Sequence, residues 1–472
     1  DSDYFLESVI ASCGVQAEVL DDKQILLYYE AIAHIVSAVS SSEKTAFIYG
    51  LLIRPNEEWN TVMKLGKATP DKLYERGVAK IILKFLRINQ RIAKANGAAY
   101  TTQLFNIYPE LLQLYQLYSS HIMNEVQRNG VIVIKHSEIK VLHIVKRETL
   151  HLVETYFDQA AQEGDQWKED IINKILSPLL MTLLEDYRNN VPTTRDHEVL
   201  SLLSVLMSRL DIHMTRALPN VFSYIFDCTV AMIKEDFRSY PDHREKFYEL
   251  LKSCNKYCFD GLLALSPEYL QGYVECLVWA LKHESPTVAE QGLQVTYEFI
   301  EKLMRNKKEI LGDFCDRFYY NLMQEILMVL TDRLHRAGFK YQTLILRLLL
   351  QLVEMGIIDK AETGLQKPTV MKNLISILVQ SFETVNERQV EAFVLDLFNY
   401  CSGDNISKFQ THIRDFLISL KEFAGNNNEL FEMERNEALR RAEEKEKQRR
   451  AMIPGLISQF DNFSSIRDIE DS

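Results

Sequence analysis

The sequence predicts an all-α protein built as a stack of antiparallel helix pairs, and three observations carry that prediction. Helix breakers are scarce: Gly is 17 and Pro 11 of 472 residues, each about half the usual ~7% and ~5%. Apolar residues recur at three- and four-residue steps from end to end, the mark of one buried helical face. The periodic stretches, each about 15 to 25 residues long, pair at the period of roughly 40 to 47 residues expected of HEAT or armadillo arrays. One core shared by so many helices would leave the outer ones nothing to bury against, whereas stacked pairs bury their apolar faces on their neighbours. The 47% apolar content is enough for such a long core.

Taken in order, the first helices are expected over Lys23–Val39, Glu57–Lys67, Asp71–Ala95, Tyr108–Arg128 and Glu138–Gln162. Lys168–Arg188, Arg195–Leu210, Ala217–Asp236, Pro241–Cys258 and Pro267–His283 follow. The last are Pro286–Met304, Asp313–Leu334, Tyr341–Met355, Thr369–Phe382, Glu387–Tyr400, Ile406–Phe423 and Glu429–Arg450. Pro241 suits a first helical turn because it has no N–H to lose, and Asp242 favours the same positive end. Phe247, Leu250, Leu251 and Cys254 then form one buried stripe, as do Phe314, Phe318, Leu322 and Ile326 further on. Val131–Ile134 is the one strand-like run, and its position between helices reads as an extended linker. No Gly/Ser/Pro-rich linker divides residues 1–425; residues 426–453 read as a separate terminal helix and 454–472 as a mildly acidic flexible tail.

The net charge of −12 argues against non-specific phosphate binding and favours basic partners. Seven scattered cysteines, an odd number, fit a reducing compartment rather than a disulfide scaffold. The longest apolar run, Thr343–Ile358, is interrupted by Arg347 and Glu354, so no membrane span is expected. The chain opens Asp1-Ser2-Asp3, without the basic start of a signal peptide and without Met, and reads as a piece of a longer protein.

No Gly-rich phosphate loop and no Gly-x-Ser-x-Gly elbow occurs, so neither an enzyme nor a cofactor site is expected. His197-Glu198 begins a zincin-like pattern, but position 201 is Ser where the second ligand should stand. Cys254 and Cys258, with His243 and Cys276, are a formal zinc alternative to plain core thiols; no metal site is assigned. His136, His143 and His151 are read as core or solvated histidines.

Five ordered stretches carry a family resemblance: VKRETLHLVETY (Val145–Tyr156), LLEDYRNNVPTTRDHEVL (Leu183–Leu200), DFRSYPDHREKFYELLKSCN (Asp236–Asn255), VWALKHESPTVAEQGLQ (Val278–Gln294) and HIRDFLISLKEFAG (His412–Gly425). They resemble the exportin-1 family of karyopherin-β nuclear export receptors, over essentially the whole chain. The resemblance implies a HEAT-repeat α-solenoid in a superhelical arc, corresponding to the C-terminal part of such a receptor. It implies Ran-GTP and FG nucleoporins as partners and shuttling between nucleus and cytoplasm through the nuclear pore; a monomer is expected because a repeat stack buries its faces within one chain. Export-signal cargo would bind only through N-terminal repeats that lie outside this sequence, and none of the seven cysteines matches the reactive groove cysteine of the family. A generic HEAT interaction scaffold is the alternative. Arg195, Asp196 and Arg244, polar members of the matching stretches, are expected to form a structural ladder between repeats.

The terminal helix has a distinct character. Its apolar anchors Leu430, Phe431, Met433 and Leu439 come early, and from Arg440 and Arg441 onward nearly every residue is charged or polar. Glu437 with Arg441, Glu443 with Lys447 and Glu446 with Arg450 are favourable i, i+4 pairs, which suit a solvated helix. A merely solvated end and a nuclear-localisation signal at Lys445–Arg450 are the alternatives. ELFEMERNEALRRAEEKEKQRRAMIPG resembles the exportin-1 terminal helix, which implies autoinhibition of cargo binding.

Overall fold

A computed structural model describes residues 9–10, 20–39, 41–160, 171–235, 239–354, 356, 365–382, 386–403, 405–420 and 440. Every regular element among them is helical. The chain divides into two compact units, residues 1–269 and 270–472.

The first unit begins with α1 (Asp22–Ser37), opened by a capping box in which Asp21 and Gln24 exchange side-chain and backbone hydrogen bonds of 2.8 and 3.0 Å. α2 (Ser41–Ala68), α3 (Arg76–Asn96), α4 (Thr101–Asn129), α5 (Ser137–Ala160), α6 (Ser177–Asn189), α7 (Glu198–Glu235), α8 (Pro241–Tyr257) and α9 (Phe259–Leu263) follow. Alternate helices form rows: α1, α3, α5 and α7 pack in succession, α2, α4 and α6 form the second row, and α8 and α9 lie against α7. Contacts that run mainly to near neighbours in the chain define a stacked repeat array, an α-solenoid. The rows meet through a dry core in which α3 alone buries Ile82, Phe85, Leu86, Ile88 and Ile92, each contributing about 1.5–3 kcal/mol.

Tyrosines bridge these layers. Each buries its ring and delivers its hydroxyl to a partner in another element, as buried Tyr must: Tyr118 donates to Leu73 O at 2.8 Å, Tyr108 to Ile175 O at 2.7 Å and Tyr100 to Asn89 Oδ1 at 2.8 Å.

The second unit repeats the plan. It contains most of α10 (Pro267–Leu281), then α11 (Pro286–Asn306), α12 (Lys308–Thr331), α13 (Phe339–Glu354), α14 (Lys367–Ser381), α15 (Glu387–Cys401) and α16 (Ile406–Ser419). α11, α13 and α15 form one row, with α12 on α11 and α13, α14 on α15, and α16 on α13 and α15. Tyr319 of α12 donates to Leu349 O at 3.0 Å. The two stripes expected from sequence are buried: Phe247, Leu250, Leu251 and Cys254 on α8, and Phe314, Phe318, Leu322 and Ile326 on α12.

Several boundaries differ from the sequence reading. α2 starts at Ser41 rather than Glu57 and runs through Pro55, because Ile48, Leu51 and Leu52 bury on one side of it and Trp59 on the other. α4 likewise contains Pro109. Burial on both sides outweighs the cost of about 3 kcal/mol for an interior proline. The two helices expected over 195–236 are one element, α7, kinked at Leu210 (φ −118°, ψ 15°); Asp211–Arg216 is polar but contains neither Gly nor Pro, and Met214 buries there. The Val131–Ile134 run is a 3-10 turn, Val131–Lys135, not an extended linker. Gly130, at φ 78°, ends α4, and Val133 N and His136 N donate to Gly130 O and Val133 O, pairing the backbone inside the turn.

No described helix is long and apolar enough to cross a membrane. The described cysteines are free thiols. Of the terminal helix, Leu430, Phe431, Met433, Leu439 and Arg441 lie outside the described residues, as does the 454–472 tail; Arg440 is helical and exposed.

Candidate functional site

Two of the five singled-out stretches, Val145–Tyr156 and Leu183–Leu200, and the described part of a third, residues 239–255, fold onto one junction, where α5, α6, α7 and α8 meet. Its centre is Lys146 of α5, whose side chain is 1% exposed. The ammonium donates to Ser119 Oγ of α4 at 2.9 Å and to Asp186 Oδ2 of α6 at 3.2 Å, stands 4.0 Å from Asp196 Oδ2, and lies 4.7 Å from the centre of the Tyr115 ring. Tyr115 donates its hydroxyl to the same Asp186 oxygen at 3.0 Å. Asn190 donates to Ser119 Oγ at 3.1 Å and accepts from Thr194 at 3.1 Å.

Asp196, in the turn before α7, accepts from Arg147 Nε at 2.8 Å. Burial would raise its pKa, but Lys146 and Arg147 hold the carboxyl below its ordinary range. A buried charge with partners on two sides persists only because those partners are there. His143, one turn earlier on α5, is pushed down to about 4, chiefly by burial, with Lys146 and Arg147 adding to the effect against Asp196 and Asp186.

Arg195 and Arg244 serve the backbone. Arg195 Nε donates to Tyr187 O at 2.9 Å and Nη1 to Cys228 O at 3.1 Å, joining the end of α6 to α7. Arg244 Nη2 donates to Ile233 O at 3.0 Å and Ser239 O at 3.2 Å, so this arginine satisfies a carbonyl at the C-terminal end of α7. His243 Nε2 lies 3.0 Å from Arg195 O and is the donor, since the carbonyl can only accept; burial, aided by His197, pushes its pKa down to about 4. Tyr240, in the left-handed region at φ 59°, makes the sharp entry into α8. Arg195 and Asp196 thus tie α7 to α6 and to α5, as a ladder between repeats would, while Arg244 closes the corner from α7 to α8.

A second ladder crosses the α1–α3–α5–α7 row nearer the surface. Arg91 of α3 pairs with Glu30 of α1 at 3.1 Å, Arg87 of α3 with Glu148 of α5 at 2.9 Å, and His151 of α5 with Glu198 of α7 at 3.2 Å. Arg209 of α7 pairs with Asp158 of α5. His197 holds the other oxygen of Glu198 at 3.2 Å. Burial opposes the charge on His151, but Glu148 and Glu198 raise its pKa to about 10; Glu198 is held far below the ordinary carboxylate range by the two histidines. These charges are spent on one another, an arrangement that fixes helix spacing and register.

The thiols of Cys254, on α8, and Cys258, just after it, do not converge with His243: Cys254 Sγ points to Met207 Sδ at 3.4 Å and Cys258 Sγ to Asp211 O at 3.6 Å, while His243 faces Arg195. Sequence reasoning missed Lys146 and Asp186. The signal was present, since Lys146 interrupts the stripe Leu142, Val145, Thr149, Leu150, Val153, and a lysine in an apolar stripe calls for a buried acid.

Fold and junction together define a helical repeat protein whose pairs in the first unit are joined by ionic contacts. The chain belongs to the family described as CRM1 C terminal, whose model matches residues 103–425. It is 31% identical to Protein EXPORTIN 1B of Arabidopsis thaliana over 97% of this chain and 42% of that protein. It is 30% identical to Exportin-1 of Dictyostelium discoideum, over 99% and 44%, and 31% identical to Exportin-1 of Schizosaccharomyces pombe, over 98% and 43%. The chain therefore spans less than half the length of these relatives.

Proposed function

We propose that this chain is the C-terminal portion of a nuclear export receptor that carries leucine-rich export signals together with Ran-GTP through nuclear pores. The observation that supports this most is the match of the family model across residues 103–425, joined to exportin relatives that align over nearly the whole chain. On this reading the chain is a binding protein, not an enzyme, and a monomer. It contributes Ran and FG-nucleoporin contacts, shuttles between nucleus and cytoplasm, and leaves cargo binding to repeats outside this sequence. The ionic joints suit that role, because a receptor that must wrap one partner and later release another needs repeats of fixed pitch. Capture of Ran by the full-length receptor tests the reading: GTP-loaded Ran is retained, more strongly with an export peptide, and GDP-loaded Ran is not. Equal retention of both forms, or none, overturns it in favour of a generic scaffold.

The terminal segment at 429–450, with anchors Leu430, Phe431, Met433 and Leu439 and the charged run from Arg440 and Arg441, is assigned to autoinhibition of cargo binding. Deleting residues 429–472 from the full-length receptor raises export-peptide affinity at fixed Ran-GTP; unchanged or weaker binding removes the assignment.

A further inference from the structure

One carboxylate beside the outer ladder has a hydroxyl rather than a cation as its hydrogen-bond donor. Glu154 stands one turn after His151 on α5 and is half-buried, and its hydrogen bond comes from the Ser201 hydroxyl at 2.9 Å. Among the described residues no Lys, Arg or His pairs with it directly; burial raises its pKa, with the nearby charges of His151 and Lys246 opposing. His151, Glu154 and Glu198 each bring one donor atom to a common point, all within 4.8 Å of one another.

We propose that His151, Glu154 and Glu198 form a binding site for a divalent first-row transition cation of the zinc class. His151 and Glu154 are related by i, i+3 and so share one face of α5, and Glu198 reaches them from the first turn of α7. The imidazole has a carboxylate on the side away from Glu198, where metal-binding histidines keep theirs: Nδ1 faces Glu148 Oε2 at 3.9 Å, one short step beyond a hydrogen bond, Glu148 is fixed by Arg87, and Nε2 points to Glu198. The second oxygen of Glu198 is held by His197, and Glu154 by Ser201. One imidazole nitrogen and two carboxylate oxygens are three ligands of the kinds zinc takes, and three protein ligands leave the fourth position to water. The nitrogen donor disfavours magnesium and calcium, which take oxygen ligands. A 2+ ion balances both carboxylates, whereas the imidazolium balances one. The 35% exposure of His151 gives the ion and its water a path in. Metal entry displaces the proton on His151 Nε2 and releases it to solvent, so the cation competes with that proton.

Sequence reading sought the partner of His197-Glu198 at position 201. Ser201 is there, but it orients Glu154, and the ligands come from α5 instead.

Titration calorimetry of the metal-free protein with zinc chloride, and separately with magnesium chloride, tests the site. One equivalent of zinc binds with micromolar affinity, and magnesium gives no saturable signal. His151→Lys keeps the positive charge facing Glu148 and Glu198 but offers no ligand at neutral pH; it should retain the far-UV spectrum and weaken zinc binding at least about 10-fold, as should Glu154→Gln. Zinc uptake unchanged by both substitutions, or no uptake at millimolar zinc, overturns the proposal. If either variant fails to fold, the cobalt-loaded unmodified protein decides: d–d bands without thiolate-to-metal charge transfer support the site, and a thiolate band overturns it by assigning the metal to cysteines.

Discussion

Lys146 concentrates the energetics of the first unit in one side chain. It is the cation for Asp186, whose side chain is 10% exposed, and stands beside Asp196, at 1%, so water is a poor substitute at either carboxylate. Removing one partner of a buried pair leaves a charge uncompensated at a cost of about 3–5 kcal/mol, whereas an exposed pair contributes about 0–1 kcal/mol. Lys146→Met is therefore expected to lower the unfolding free energy by about 3–5 kcal/mol in urea titration. Lys72→Met, which breaks the exposed pair with Glu75, should change it by less than about 1 kcal/mol. His143 gives a pH dependence of definite sign. The fold holds it neutral, with a pKa of about 4 against an ordinary 6.5, so the unfolded chain takes up the proton first. Stability is fully present above pH 6.5 and is lost as pH falls from 6.5 towards 4, by at most about 3 kcal/mol. Melting temperature against pH should flatten over that window in His143→Gln; an unchanged slope would show that other groups carry it.

Helix spacing at the α10–α11 pair is set by the absence of a side chain. A Cβ placed on Gly292 of α11 would fall on the Cβ of Ala280 of α10, and neither is the movable end of a flexible side chain. Gly312 of α12 has open space where its Cβ would be. Alanine gains about 1 kcal/mol over glycine in a helix interior, while overpacking costs about 1–3 kcal/mol. Gly312→Ala is accordingly expected to stabilise the protein by about 0.5–1 kcal/mol. Gly292→Val should destabilise it by at least about 1 kcal/mol, both measured by denaturant midpoint. The same logic of packing over local preference explains α2 and α4, which carry Pro55 and Pro109 inside helices that a local rule would have ended there.

A protein whose contacts run mainly between neighbouring helix pairs has no single cooperative core. Its stability is close to a sum of repeat terms and interface terms, and parts of it open separately. Both ionic ladders lie in residues 1–269, and among the described residues of 270–472 no comparable ladder occurs, so the first unit should be the more resistant. Hydrogen exchange across a urea series is expected to show two transitions, the later one in peptides of α3, α5 and the first half of α7. A single transition common to all peptides would refute the repeat-wise picture. The zinc site joins α5 to α7 in the same unit, so bound zinc should raise only the later transition.

The sequence by itself determined the class of fold, the identity and most boundaries of the helices, and the family, because helical periodicity and caps are local properties and because five stretches kept their residues in order. It gave the roles of Arg195, Asp196 and Arg244 in outline, since polar residues within a helix-junction motif have few other uses. Only the tertiary structure decided where two prolines and the Asp211–Arg216 stretch would be tolerated, since burial on either side of them is set by helices far away in the chain. It also decided which charges meet. His151 and Glu198 are 47 residues apart, and Lys146 and Asp186 are 40. No spacing rule joins residues on different helices; only the stacking of one pair on the next brings their side chains within 4 Å, where charge and coordination act.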